Sequence, residues 1–183
     1  MKYFFENSIN KETAYFKQKI IKINKSNLND LIIFAKDKNN KLKKSRLCCH
    51  NNVKDDVQEM IIYHEKNYYV RPHKHPGKSE SVHIIKGKVD IIIFDDYGKI
   101  IDIVKLGDLK SKDAFYYRLN CDYFHMLIIK SKFLIFHETS SGPFKKNSTK
   151  YAKWSPKIKK SGFNQLIKNK IKIYESLQKK KKL

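Results

Sequence analysis

The stretch His73-Lys74-His75-Pro76-Gly77-Lys78-Ser79-Glu80-Ser81-Val82-His83-Ile84-Ile85-Lys86-Gly87 decides how this chain is read. Two histidines one residue apart on a strand point to the same side, because side chains alternate faces with a period of two. After four intervening residues Glu80 brings a carboxylate into the next apolar run, and His125 follows in a later run of the same kind. Three imidazoles and one carboxylate make a mixed nitrogen and oxygen set for one divalent ion, with one or two coordination positions left open. Open positions suit a catalytic or ligand-binding ion, whereas a closed tetrahedral set is structural. No thiolate enters the set, so Fe, Mn, Ni, Co and Zn all fit it, and the sequence does not choose among them. The plainer alternatives are two surface histidines and a Glu80 that only orients a ligand; Gly87 and His125, both in place, favour the metal. His83 has the opposite parity to Glu80 on its strand and is expected to face away.

Working outward, the chain from Gln58 to Glu138 breaks into short apolar or alternating runs. They are Gln58 to His64, Tyr68 to His75, Ser81 to Lys86, Lys88 to Phe94, Ile100 to Leu106, Ala114 to Leu119, Phe124 to Lys130 and Lys132 to Glu138. Lys86-Gly87, Asp95-Asp96-Tyr97-Gly98 and Gly107-Asp108 supply turn signals between them. Short strands with tight connections predict a sandwich or barrel. Upstream, Ser26 or Asn27 is the expected cap of a helix reaching about Lys38, with Leu28, Leu31, Ile32 and Ala35 on one face. Residues 1 to 25 are expected to add at most an edge strand, and 36 to 45 read as a linker. Downstream, a helix over Phe163 to Gln178 places Phe163, Leu166, Ile167, Ile171, Tyr174 and Leu177 on one side, before a solvated lysine tail.

These residues resemble the first motif of the cupin superfamily, and the resemblance extends to the WbuC-type cupin fold metalloproteins over roughly residues 46 to 156. It is carried by Arg46…His50, Asp56-Val57-Gln58-Glu59-Met60, Tyr69-Val70-Arg71-Pro72-His73-Lys74-His75, Glu80 and Phe94-Asp95-Asp96-Tyr97-Gly98. Further on it includes Phe124-His125, Glu138, Gly142-Pro143-Phe144 and Tyr151-Ala152-Lys153-Trp154-Ser155-Pro156. The second cupin motif departs from the pattern. Asn120-Cys121-Asp122 stands where Pro-x-Gly is usual, so a different turn is expected before His125. The resemblance implies a mostly β chain, a double-stranded β-helix or jelly roll with a metal inside the barrel. The expected organisation is an extension with one helix over 1–45, a metal-binding cupin domain over 46–156, and a helix with a lysine tail over 157–183.

Composition limits the alternatives. The chain has 183 residues, enough to bury a core, and 40 basic against 18 acidic residues give a net charge of +22. Only Arg46, Arg71 and Arg118 are arginines, whereas base-reading and phosphate-forking surfaces tend to need that side chain. A solvated lysine surface is therefore expected, with no specific nucleic-acid partner. There is no apolar run long enough for a membrane span and no apolar core of a signal peptide at the start. Cys48, Cys49 and Cys121 do not form a disulfide framework. A cytoplasmic protein with free thiols is the expectation. Nucleotide-binding glycine loops, serine-hydrolase elbows and HExxH are absent from the sequence.

The expected ligands are His73, His75, Glu80 and His125. By strand parity Arg71 and Tyr69 share their face. Arg71 reads either as an anchor for a carboxylate or phosphate or as a structural ion-pair partner. Tyr69 and His50 are candidate substrate-binding groups, and His50, Tyr69 and Tyr123 are the available general-base candidates. The expected partner is a small anionic or sugar-like ligand; a homodimer is compatible with the sequence, which does not fix the oligomeric state. The resemblance implies a setting in surface-polysaccharide (O-antigen type) biosynthesis, with a sugar or nucleotide sugar as ligand class. Isomerase or epimerase chemistry is the first expectation and dioxygen chemistry the second. A non-catalytic metal- or sugar-binding regulatory module is the alternative.

Overall fold

The computed structural model describes residues 12–16, 18–37, 40–41, 43–145 and 147–181. Eleven strands and two helices follow one another within them. The N-terminal part holds β1 (Thr13–Tyr15), α1 (Lys25–Lys36), β2 (Lys44–Cys48) and β3 (Val57–Glu65). The central part holds β4 (His73–Lys74), β5 (Glu80–Lys86), β6 (Lys88–Phe94) and β7 (Ile100–Gly107). Then come β8 (Tyr116–Leu119), β9 (Phe124–Ile129), β10 (Phe133–Ser141), β11 (Lys150–Tyr151) and α2 (Ser161–Lys180).

Two sheets face each other, in the orders β1-β2-β3-β10-β5-β8 and β11-β4-β9-β6-β7. β1 and β2 run parallel, and the other ladders are antiparallel. The chain changes sheet between β5 and β6 at Gly87, whose φ of +102° favours glycine and whose Cβ position lies 2.4 Å from the Phe133 carbonyl. Between the sheets lie Ile62, Val82, Ile84, Val89, Ile91, Leu134 and Phe136, among others. Alternate residues serve a second layer. Ile92 and Phe94 on β6 pack with Phe163 and Ile167 of α2, which is why Val89 to Phe94 reads almost continuously apolar. On the other sheet Leu47, Ile61, Tyr63 and Ile135 pack under Leu31 and Ala35 of α1.

Several boundaries differ from expectation for local reasons. α1 is capped by Asn24, whose side chain accepts from Ser26 and Asn27 N–H, while the Asn27 side chain accepts from Asn24 N–H. Asn27 thus completes a capping box instead of starting the helix. β2 begins at Lys44, inside the expected linker, and straddles the expected boundary at residue 46. The strand expected over Tyr68 to His75 pairs only at His73–Lys74. Pro72 has no N–H for a ladder, and Tyr69 and Arg71 bond instead to the segment after β11. α2 extends through Lys180, two residues into the lysine run, and leaves Leu166 and Leu177 about half exposed. The expected contribution of residues 1–11 lies outside the described residues. No helix among them is long and apolar enough to cross a membrane.

Candidate metal centre

One end of the space between the sheets opens into a cavity of about 1200 Å³. His73 and His125 are directly opposed across the β4–β9 ladder, with ring centroids 4.4 Å apart. His75 follows in the turn after β4, and Glu80 opens β5 on the facing sheet. Ligand atoms of His73, His75 and His125 all lie within 4.8 Å of one another. The Glu80 carboxylate reaches toward them, Oε2 at 3.4 Å from His75 Nε2 and Oε1 at 3.5 Å from His125 Nε2.

The hydrogen bonds behind the rings decide what this cluster can hold. His73 Nδ1 bonds to the Arg71 carbonyl at 2.8 Å, His125 Nδ1 to the Tyr123 carbonyl at 3.4 Å, and His75 Nδ1 to Thr149 Oγ1 at 3.2 Å. A carbonyl only accepts, so Nδ1 carries the proton in His73 and His125, and each Nε2 presents a lone pair. His125 Nε2 is buried with no hydrogen-bond partner among the described residues. An orphaned buried nitrogen is costly unless something binds it. The same arrangement, Nδ1–H on a backbone acceptor and Nε2 forward, fixes imidazoles on a metal. The donor set therefore fits a divalent ion. Three imidazole nitrogens suit Zn, Fe, Mn, Co or Ni alike.

Electrostatics agree with that fit. Burial, together with His125 and His75, pushes His73 down to about 3, so it stands neutral. Burial likewise lowers His125. Burial alone raises a carboxylic acid, but the imidazoles of His125, His75 and His73 outweigh it and hold Glu80 down to about 2. Burial is the largest single effect on His75 and lowers it, but the hydrogen bond to Glu80 and the charges of Glu80 and Glu138 together carry it above its ordinary value. The centre thus combines an ionised carboxylate with two histidines held in the neutral, ligating form.

The remaining expected residues also border the cavity, in different capacities. Arg71 lines it, but its guanidinium is committed elsewhere: Nε donates to Ser155 Oγ at 3.0 Å, and Nη2 to the carbonyls of Ala152 and Ser155 at 3.0 and 3.1 Å. It also stacks over Tyr151, 4.9 Å from the ring centre. Through Nε and Nη2, Arg71 thus clamps the segment after β11 while lining the cavity. Tyr69 donates its hydroxyl to the Pro156 carbonyl at 3.1 Å and packs on Phe163. His50 is buried, with Nδ1 accepting from Glu59 N–H at 3.0 Å and its ring against Tyr15. Tyr123 is half exposed, and His83 is exposed and faces away. Cys48 lines the cavity while Cys49 packs toward α1, so the two thiols face apart.

Two residues to which the sequence reading gave no role stand out. Glu138 on β10 lines the cavity two strand positions from Ser140, the register partner of Glu80. Burial and the neighbouring Glu80 charge raise its carboxyl to about 7, against the opposing effects of Arg46 and His75. Arg46 on β2 lines the same space. Both lie on even-numbered, inward positions of their strands, yet parity becomes informative only once the cross-strand partners are known.

A family model described as domain of unknown function (DUF6016) matches residues 23–106, from α1 through β7 and including His73, His75 and Glu80. Among solved structures, the chain resembles a Shewanella oneidensis protein at 10% identity and TM-score 0.46, covering 56% of this chain and 66% of that one. It resembles a Bacillus subtilis oxalate decarboxylase variant at 18% identity and TM-score 0.44, over 54% of this chain and 25% of that one. For the capsular polysaccharide assembling protein CapF from Staphylococcus aureus the figures are 15%, 0.44, 54% and 27%. The fold is mostly β, two facing sheets whose ladders are antiparallel except at β1–β2, with two helices. The chain spans about two thirds of the first of these proteins and about a quarter of the other two. No curated protein matches.

Proposed function

We propose that this chain is a cupin that binds a divalent ion through His73, His75, Glu80 and His125 and acts as a metal-dependent isomerase or epimerase on a small anionic, sugar-like ligand. The observation that carries the reading is the set of imidazoles whose Nδ1 atoms are tied back, one of them leaving an orphaned Nε2, beside an ionised carboxylate. A bound ion supplies Lewis acidity at one or two open positions, where a carbonyl or hydroxyl oxygen is polarised. Glu138 supplies the second requirement of isomerisation, a proton carrier. Lining the cavity two strand positions from the register partner of Glu80, it takes a proton from carbon and returns it. The cavity, about 1200 Å³, accommodates a ligand of sugar or nucleotide-sugar size. The surface-polysaccharide setting rests on the resemblance to WbuC-type proteins.

The test is solvent-deuterium exchange, followed by proton NMR, into sugar phosphates and nucleotide sugars incubated with metal-loaded protein. Metal-dependent exchange at a carbon beside a carbonyl or hydroxyl, abolished in Glu138→Gln, supports the enzyme. Ligand binding with no exchange into any of them favours the non-catalytic module instead.

A further inference from the structure

Among the described residues, Arg46 is a partly buried cation of the cavity with no hydrogen-bond or ion-pair partner; Lys41 and Lys157 also line the cavity but are exposed. On β2 the odd positions face α1: Ser45 donates to the Leu31 carbonyl at 2.8 Å, and Leu47 packs into the cluster under that helix. The even positions, Lys44, Arg46 and Cys48, therefore face the cavity, and all three line it. Most cationic side chains around that space are already engaged. Lys43 donates to the carbonyls of Lys36 and Asp37, Lys44 pairs with Glu12 at 3.0 Å, and Lys78 donates to the carbonyls of Ser141 and Pro143. Arg71 is spent on Ser155 and Ala152, and Lys159 on the Asn67 carbonyl. The guanidinium of Arg46 has no hydrogen-bond or ion-pair partner among the described residues, although the residue is only partly exposed.

A partly buried guanidinium with no protein acceptor keeps its N–H donors available to an anion entering the cavity. Its planar fork matches two oxygens of a carboxylate or phosphate. Its position is favourable for such a ligand. Arg46 is paired with Ile62 on β3, and Ile62 with Phe136 on β10; two residues further along each strand, Cys48, Met60 and Glu138 form the next row. The charge of Arg46 is felt by Glu138, which in turn feels Glu80 and His75. Glu138 thus lies between Arg46 and the histidine cluster. We propose that Arg46 is the oxyanion anchor of the cavity, holding the phosphate or carboxylate of a small ligand whose uncharged end passes Glu138 to reach the three histidines. This rests on the cavity being a ligand site; it does not require the ion to be present.

The test is calorimetric titration of chelator-treated protein with inorganic phosphate in one arm and malonate in the other, at constant ionic strength. Phosphate and malonate distinguish the two sources of oxyanion. Wild type should bind at least one of them saturably, and Arg46→Gln should weaken that binding about 10–100-fold, the loss expected for a charge-assisted bidentate contact. Arg46→Lys should recover part of the loss, and Lys44→Gln, at an ion-paired side chain, should change it about twofold or less. Arg46→Lys also serves as the readout if Arg46→Gln does not fold, since it keeps the charge and loses the fork. Unchanged phosphate and malonate affinity in the folded Arg46 variants, or no saturable binding by wild type, would overturn the anchor. Separate metal titrations keep the two readings apart. Normal metal uptake with Arg46-independent anion binding refutes only the anchor, and Arg46-dependent anion binding in a chain that takes up no metal refutes only the metal centre.

Discussion

Replacing Arg71 by Met should destabilise the fold while leaving the metal centre able to load. The side chain makes three charge-assisted hydrogen bonds to the Ala152–Ser155 turn and stacks on Tyr151. Such bonds contribute about 1.5–3 kcal/mol each when taken singly. Here the sum is smaller. The Ala152 carbonyl keeps Ser155 Oγ at 2.8 Å and Ser155 N at 3.2 Å as donors, so it is not stranded. The Ser155 carbonyl loses a partner in a buried residue, and the Met side chain restores some apolar contact with Tyr151. A net loss of about 3 kcal/mol follows, and for a chain of this size that lowers the melting temperature by about 6–12 °C. Arg71→Lys should lose about half as much, because an ammonium retains one or two donors but not the fork. The assay is thermal unfolding followed by circular dichroism with a chelator present, so that ion binding does not enter the comparison. A melting temperature of Arg71→Met within about 2 °C of wild type would refute the clamp.

Two other substitutions test the packing and the charge balance. Gly142→Ala places a Cβ 1.8 Å from the Asp55 carbonyl oxygen, a backbone atom with little freedom to yield, and should cost about 3 kcal/mol or more in urea denaturation. His64 is held well below its ordinary value by burial and by the nearby Arg46 and Lys44 charges, so it stays neutral in the fold and takes up a proton near 6.5 once unfolded. Its contribution is therefore full above about 6.5 and declines as pH falls; between pH 7 and pH 5, urea denaturation of His64→Phe should lose about 2 kcal/mol less than wild type.

The sequence shows the barrel well where turns and burial are local. β6 is recognisable from Lys88 to Phe94 because it is buried on both faces and bounded by Gly87 and the Asp95–Gly98 turn. The spacing of His73, His75 and Glu80 brings out the cluster, and His125 joins it through a ladder between β4 and β9 that no local signal describes. The two-residue strand β11 lies in a polar stretch and exists because it pairs with β4. Arg71 illustrates the limit of parity. Its position lines the cavity as alternation predicts, but its acceptors lie more than eighty residues away along the chain and take the guanidinium. Glu138 and Arg46 are hidden for a related reason. The raised carboxyl of Glu138 comes from burial and from Glu80 on a neighbouring strand, and the unpaired state of Arg46 emerges only when the hydrogen bonds of the folded chain are known.

Metal content tests the centre most directly. Protein purified without an immobilised-nickel step, loaded separately with Mn, Fe, Co, Ni and Zn salts and desalted, is analysed for bound metal alongside His125→Ala, Glu80→Gln and His83→Ala, each checked for folding by circular dichroism. About one ion per chain should remain on wild type and on His83→Ala for at least one metal, and His125→Ala and Glu80→Gln should retain about a tenth or less under the same desalting. Wild-type protein that retains none of the five metals, or a folded His125→Ala that retains as much as wild type, would contradict it.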